Sequence, residues 1–499
     1  MSSGPASASS HADVRATLAN ALKLGGALVL TLVIGFGVRL ALRRSLGPTA
    51  LGPLGFAEAF AATGFVVLGL GLDVYLRTVV PVRLEAANAF LGAFLLVRAA
   101  LAALVFAGLG LALDALEEPP EVRALVWAYG AAQVLLSLNQ TFTSLLQSAR
   151  AVDGLSVVNV ASKLLWAAGF VATLVFRWPL LGIPLSVAAA EALKAAVGWR
   201  LARKHLGLRL GCDWSQVGPV LRASFAFYVN TVALVVVNHF GVNALKVHAD
   251  DTEIGLYSAA AELSQMTFVL TPMLGGVVAP LFARTRARGE AEFAQVLRRT
   301  LEWVLAFAFP ASLAILVGAD VWVRLLLGPP YAASAWALAI LGPGFLLTYA
   351  TVIVATALNL SGGAWTVTVT SLLTLALNPL LVLGLVPLAS SWGPGGGGAA
   401  CALAAIATEA LALGVLCWRT GRAAVDARLL WMLAKTGAAC AAVYALDRAL
   451  LSPLGAGRLV LDGALYAGLV LASGAVSTRD TAQVVRLLRA QRAAVPPDA

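Results

Sequence analysis

The sequence predicts an all-α integral membrane protein, and three observations carry that reading: a large excess of apolar residues, their grouping into runs of membrane-crossing length, and an asymmetry of charge between successive loops. Of the 499 residues 60% are apolar and 12% charged, with mean hydropathy +0.87. A typical soluble domain has roughly 45–50% and about 25%. The apolar residues gather in runs of about 20, the length of helix that crosses a hydrocarbon core of roughly 30 Å. No run alternates in polarity as a barrel strand does, so the backbone must close its hydrogen bonds inside helices.

The runs lie at 20–42, 54–80, 86–113, 122–146, 155–176 and 180–201, then at 217–240, 254–282, 293–318, 334–360, 365–386 and 396–418, with a final pair at 427–450 and 459–476. By the 20-residue criterion this is about fourteen spans. Residues 1–19 are polar, and the first run lacks a convincing small-residue cleavage site, so it reads as a retained span and not a signal peptide. The cysteines (Cys212, Cys401, Cys417 and Cys440) form no close pair with metal-ligand spacing, so neither a disulfide framework nor a metal or cofactor site is expected.

Short translocated loops avoid Lys and Arg. Here the even loops hold Arg77 and Arg83, Arg150, then Arg200, Arg203, Lys204 and Arg209, then Arg284, Arg286, Arg288, Arg298 and Arg299, then Arg419, Arg422 and Arg428. Two odd loops are acidic, at 114–121 and 250–253. Both termini are therefore expected in the cytoplasm; Arg43 and Arg44 run against the summed bias. The net charge of +10 follows from the same bias. Basic loops beside anionic head groups account for it without nucleic acid.

An even span count divides into two six-helix units, 20–210 and 211–420, with the basic loop at 200–222 as the seam. Two further helices (421–478) follow, between cytoplasmic tails at 1–19 and 479–499. Such parallel repeats place a transport site between the halves near the membrane midplane. Thr49-Ala50-Leu51-Gly52, entering the second span, has a counterpart in Thr252-Glu253-Ile254-Gly255, entering the eighth.

Several stretches together resemble a known family. They are Arg44-Ser45-Leu46-Gly47-Pro48 with Leu51-Gly52, then Leu70-Gly71-Leu72 and Arg77; Glu253 to Ala260 with Pro280; Leu327-Gly328-Pro329-Pro330-Tyr331; and Asn378 with the glycine run that starts at Gly395. In this order they are similar to the polysaccharide-biosynthesis, O-antigen-type oligosaccharide flippases of the multidrug/oligosaccharidyl-lipid/polysaccharide (MOP) exporter superfamily. The resemblance implies two six-helix bundles around a V-shaped cavity. It also implies an activity: carrying lipid-linked oligosaccharide, typically on undecaprenyl pyrophosphate, from the cytoplasmic to the outer leaflet of the bacterial inner membrane by alternating access. Other polysaccharide-assembly membrane proteins and membrane lipids are the partners it implies.

That activity needs a polar, cationic cavity within the membrane, so charges inside the spans are the candidates; each costs roughly 2.5–3.5 kcal/mol on insertion scales. The basic ones are Arg39, Arg98, Lys163, Lys194, Lys246 and Lys435, and the acidic ones Glu191, Glu262, Glu302 and Glu409. Arg98, near the middle of the third span and too deep to snorkel easily, is the leading candidate for a phosphate contact, set against a buried structural pair. Arg39 is placed to line the cavity or to reach the interface, and Lys163 lies two turns into its span. On the seventh span Tyr228, His239 and Lys246 fall within about 20° of one another at roughly 100° per residue. Arg44 and Arg77 are candidates for head-group contact or gating. Gln133, Asn139, Gln140, Trp166 and Gln265 are of the types that bind sugars.

The nearest rivals are a multidrug exporter of the same superfamily and a lipid II flippase. The first span contains no acid, and the deep charges of the first half are mostly basic, which favours an anionic substrate. A membrane glycosyltransferase or ligase is the rival from another class. The linkers are short, and no phosphate loop, metal constellation or nucleophile motif is present, so a transporter and not an enzyme is expected. No acid is placed to name a coupling ion.

Overall fold

The computed structural model describes residues 6–79, 84–148, 153–207 and 210–475; the side chains of 6–29 and of a few later residues, Arg77 among them, lie outside the described set. The chain forms two compact units, 1–243 and 244–499. The first holds α1 (Ala6–Phe65), α2 (Leu72–Val79), α3 (Leu84–Ala115), α4 (Pro120–Ser148), α5 (Asp153–Val175), α6 (Gly182–Leu206) and most of α7 (Val217–His248). The second holds α8 (Asp251–Met266), α9 (Thr271–Arg288), α10 (Glu290–Leu326), α11 (Ser334–Leu341), α12 (Gly344–Leu360), α13 (Ala364–Ala389), α14 (Gly396–Thr420), α15 (Ala427–Leu446) and α16 (Arg458–Ala472). No strand occurs among the described residues.

Among the described residues ten helical segments are long and apolar enough to cross a membrane. The criterion gives ten and not fourteen for physical reasons. Leu30–Gly69 and Ala427–Ala472, at 40 and 46 residues, each take in two expected spans. The expected fourth and sixth spans correspond to α4 and α6, which are not among the ten. Both carry the polar residues that define the site below, including Asn139, Glu191 and Lys194.

Several expected runs are interrupted helices. α1 is broken at Gly47 (φ 75°, ψ 169°), just before Pro48, which has no N–H to continue the ladder. The run 54–80 is likewise not one helix. It tightens into a 3₁₀ turn over Val66–Gly69 and reverses at Leu70 and Gly71, both left-handed at φ 53° and 66°. A Cβ at position 71 would lie 2.6 Å from the Ser224 carbonyl oxygen, so α7 packs directly on this bend. Farther on, Thr267–Leu270 separates α8 from α9 ahead of Pro272, and Gly342-Pro343 separates α11 from α12. Pro310 and Pro379 stay inside α10 and α13.

Each unit has its own packed interior. Leu72, Leu76, Leu91, Phe94, Leu145 and Leu146 are fully buried together in the first, and Phe282, Leu297, Ile353 and Val443 in the second. Between helices in a bilayer, where lipid is as apolar as leucine, the gain comes from close packing and interhelical hydrogen bonds. The acidic loops are structural. Asp114 pairs with Arg123, and Asp250 caps α8 by accepting from the Glu253 amide at 2.9 Å.

Two of the stretches that carry the family resemblance meet in the second unit. The Glu253 carboxylate accepts from the amides of Gly395 and Gly398 at the start of α14, the second at 3.3 Å. An anion there also meets the positive end of the helix dipole. The glycines have a steric reason. A Cβ on Gly396 would sit 2.6 Å from the Ala389 carbonyl, one on Gly397 2.8 Å from Leu245, and one on Gly398 3.2 Å from Tyr257. Gly395 has φ 87°, and its Cβ would lie 2.7 Å from the Ala333 carbonyl. Gly395→Ala should therefore destabilise the folded protein by about 1–3 kcal/mol, read as a fall in the thermal unfolding midpoint of the purified chain; an unchanged midpoint would contradict this account of the α8–α14 junction.

Candidate functional site

The first unit gathers polar side chains from α1, α4, α5, α6 and α7. Trp166 of α5 is the centre. Its ring is 7% exposed, with the Lys163 ammonium 4.8 Å and the Arg39 guanidinium 5.8 Å from its centroid. Lys163 and Trp166 are three apart and share a helix face; Arg39 arrives from α1, before the Gly47 break. Cations over an indole face gain about 0.5–1 kcal/mol each where water reaches them, and more where it does not.

Beyond the same break, α1 supplies Glu58, whose carboxylate lies 3.8 Å from the Arg39 guanidinium, both side chains about two-fifths exposed (41% and 42%). On the other side Asn139 of α4, 2% exposed, donates to both the carbonyl (2.9 Å) and the Oε2 (2.7 Å) of Glu191 on α6. The charges acting on Lys163 are Arg39, Glu191, Lys194 and Glu58; those acting on His239 are Glu58 and Arg39. Next on the His239 face of α7, Asn243 donates to Thr63 Oγ1 at 3.0 Å. The set thus holds three cations (Arg39, Lys163, Lys194) and two carboxylates (Glu58, Glu191), an excess of positive charge before His239 is counted. Trp166 Nε1 and Asn139 Oδ1 are buried and have no hydrogen-bond partner among the described residues.

Of the residues singled out from the sequence, Arg39, Lys163 and His239 are brought together, along with Asn139 and Trp166. Arg98 is elsewhere. It is 3% exposed, and its guanidinium donates to Thr141 Oγ1 (2.6 Å), to the Ser137 carbonyl (3.2 Å) and to the Gly69 carbonyl (3.3 Å). With Ser224, which donates to the Leu70 carbonyl at 3.0 Å, it satisfies the backbone released at the Leu70–Gly71 bend. Tyr228 lies at that same bend, its amide nitrogen 3.1 Å from where a Gly71 Cβ would be, about 16 Å along α7 from His239 at 1.5 Å per residue. Lys246 belongs to the second unit, where it pairs with Asp251 at 3.1 Å. Arg44 is exposed, and the side chain of Arg77 lies outside the described residues.

Glu58 was missing from the sequence-derived set. It stands only a few residues into its apolar run, where an acid passes for a loop residue; the fold of α1 at Gly47 returns it to Arg39. Glu409 and Lys435, both charges inside expected spans, are not paired with each other. Lys435 instead donates to the Ser473 carbonyl at 2.7 Å and lies over the Trp431 ring. Among the described residues no group of His, Cys, Asp and Glu is placed to hold a metal ion.

A family described as polysaccharide biosynthesis protein matches residues 17–286, more than half of the chain. No curated protein matches it. Among solved structures, the lipid II flippase MurJ in an inward closed conformation superposes with TM-score 0.64 at 12% identity, over 92% of this chain and 99% of that one. An inward-facing multidrug resistance MATE family transporter of the MOP superfamily gives 0.62 at 10% identity, over 78% and 94%. The Vibrio cholerae MATE transporter VcmN in its bent form gives 0.52 at 15% identity, over 79% and 93%. The chain belongs to the polysaccharide biosynthesis protein family and has the fold of MOP-superfamily transporters.

The Asn139–Glu191 bonds tie α4 to α6 behind the cluster. Replacing Asn139 with Leu should destabilise the purified protein by about 1–3 kcal/mol, because a charged acceptor loses its donor in a poorly solvated place; a midpoint equal to wild type would show that the bond carries no weight.

Proposed function

We propose that the protein is a flippase that moves lipid-linked oligosaccharide, of the undecaprenyl-pyrophosphate type, from the cytoplasmic to the outer leaflet by alternating access, for cell-surface polysaccharide biosynthesis. The observation that carries this reading is the Arg39–Trp166–Lys163 arrangement. Two cations on an aromatic platform, with an unpaired indole N–H beside them, suit an anionic group joined to a sugar. The cations meet phosphate oxygens, and the aromatic plate offers an apolar face to a sugar ring. Glu58, Glu191 and Asn139 hold the cations in place and offer acceptors to sugar hydroxyls, and His239 completes the wall.

Membership of the polysaccharide biosynthesis family supports the substrate class, and the MOP fold supports transport over bond-making chemistry. Arg98 acts as a positioning residue in this scheme, holding the bend that α7 packs on. The loop charges support a bacterial cytoplasmic membrane location with both termini inside. A multidrug exporter of the MATE type is the second reading, favoured by the fold of those neighbours. It fits less well, since a cationic drug would meet an excess of positive charge.

The test is a leaflet-resolved flipping assay with the full chain in liposomes and a pyrophosphate-linked glycan. Wild type should flip it. Arg39→Ala and Lys163→Ala should each slow flipping by roughly 10–100-fold, the loss of a charge-assisted contact worth about 1.5–3 kcal/mol. Arg98→Ala should lose activity in step with folded protein. No flipping of any pyrophosphate-linked glycan, together with accumulation of cationic drugs, would overturn the assignment in favour of the exporter.

A further inference from the structure

The second unit contains a buried charge cluster that the transport reading does not use. It lies at the end of α15 and the start of α16, the opposite end of that pair from the basic segment around Arg428. Arg458 opens α16 and is 4% exposed. Its guanidinium pairs with Asp320 of α10, lies 3.2 Å from Asp447, and donates to the Val317 carbonyl at 3.1 Å. Asp447 is fully buried and starts a π-helical turn, Asp447–Leu451, where α15 ends. Such turns are rare and concentrate at functional sites.

Asp462, four residues after Arg458 and so on the same face of α16, points into this cluster. It is 4% exposed, and neither of its carboxylate oxygens has a hydrogen-bond partner among the described residues. The charged groups acting on it are Asp447 and Arg458. From the elements packed around it, α10 contributes Asp320, whose side chain is 43% exposed, and the π turn contributes Asp447 and Arg448, the latter set over Tyr444 at 5.4 Å. Tyr466 lies one turn further along α16, and Cys440 of α15 acts on it.

One guanidinium cannot answer three carboxylates. Asp320 takes one edge by a hydrogen bond and is part-exposed besides, and Asp447 lies against the other as an ion pair, its own oxygens without a hydrogen-bond donor among the described residues. Asp462 would add an unmatched charge in a buried place, beside a second carboxylate and without one donor. Two carboxyl groups that share a site do not both ionise. We propose that this cluster is a proton-binding site in which Asp462 carries the proton at neutral pH. On the topology that the loop charges imply, the site faces outside. Loss of the proton leaves an unmatched negative charge in this buried place, which is relieved only if α16 and the π turn part to admit water. External acidity thus sets how firmly α16 docks on α10.

Infrared difference spectroscopy on the full chain in lipid nanodiscs tests this directly, and it needs no transported substrate. At neutral pH wild type should show the C=O stretch of a protonated carboxyl group that shifts on deuteration. Asp462→Asn should remove that band and Asp320→Asn should keep it. Asp447→Asn should also remove it, because Asp462 then becomes the ionised partner of Arg458. A proton held in the folded state stabilises it fully in acid and is lost as pH rises, so the wild-type unfolding midpoint should fall between mildly acidic and mildly alkaline buffer; Asp462→Asn should flatten that fall. Superimposable wild-type and Asp462→Asn spectra would overturn the proposal. So would a midpoint that rises with sodium but not potassium at fixed pH and loses that response in Asp462→Asn, since the ligand would then be a metal cation.

Discussion

An ionised side chain or a freed carbonyl inside a hydrocarbon layer must be answered by a partner, and the architecture of both units follows from how this chain answers each of them. At the Leu70–Gly71 bend the helix gives up its ladder, and the released carbonyls of Gly69 and Leu70 are taken by Arg98 and Ser224. The bend fixes where α7 runs, since Gly71 leaves room for the Ser224 backbone alone. Arg98 in turn is held on α4 through Thr141 and Ser137. One deep cation thereby joins α3, α4 and the broken second span. In the second unit Glu253 performs the corresponding task with the opposite charge, closing the exposed amides at the start of α14.

The same requirement separates structural charges from those of the candidate site. Arg98 and Glu253 spend their hydrogen bonds on backbone and neighbouring side chains. Lys163 and Trp166 do not: Lys163 rests beside Arg39 on an aromatic face, and the indole N–H has no acceptor among the described residues. A cluster kept polar but incompletely satisfied inside apolar helices is a place where a polar ligand gains what the protein has left open. The price of that openness is visible in α4 and α6, which are too polar to register as spans by hydropathy although they pack within the unit.

Helical class and membrane character were legible in the sequence, because the length and apolarity of a run are local properties. The breaks were legible only in part. Proline and glycine mark Gly47-Pro48 and Gly342-Pro343, yet Leu70 adopts a left-handed conformation that its residue type does not announce. Depth alone made Arg98 look like a ligand contact, since sequence does not reveal that three acceptors from the first unit converge on it. Glu58 was hidden for the converse reason: it sits near the end of a run and reaches Arg39 only through the reversal at Gly47. The stretches that carried the family resemblance, such as Glu253 and the glycines from Gly395, prove to be junctions of the fold. The cation–aromatic cluster has no contiguous motif at all, being assembled from five helices.

The central claim is that the first unit's cluster recognises an anionic, sugar-bearing lipid head group. Equilibrium binding of a pyrophosphate-linked glycan to the full chain in nanodiscs, compared between wild type and Lys163→Glu, tests it most directly. The claim predicts saturable wild-type binding that weakens with salt and is lost on charge reversal, with the unfolding midpoint of the variant preserved. Equal affinity in a folded Lys163→Glu protein would contradict it.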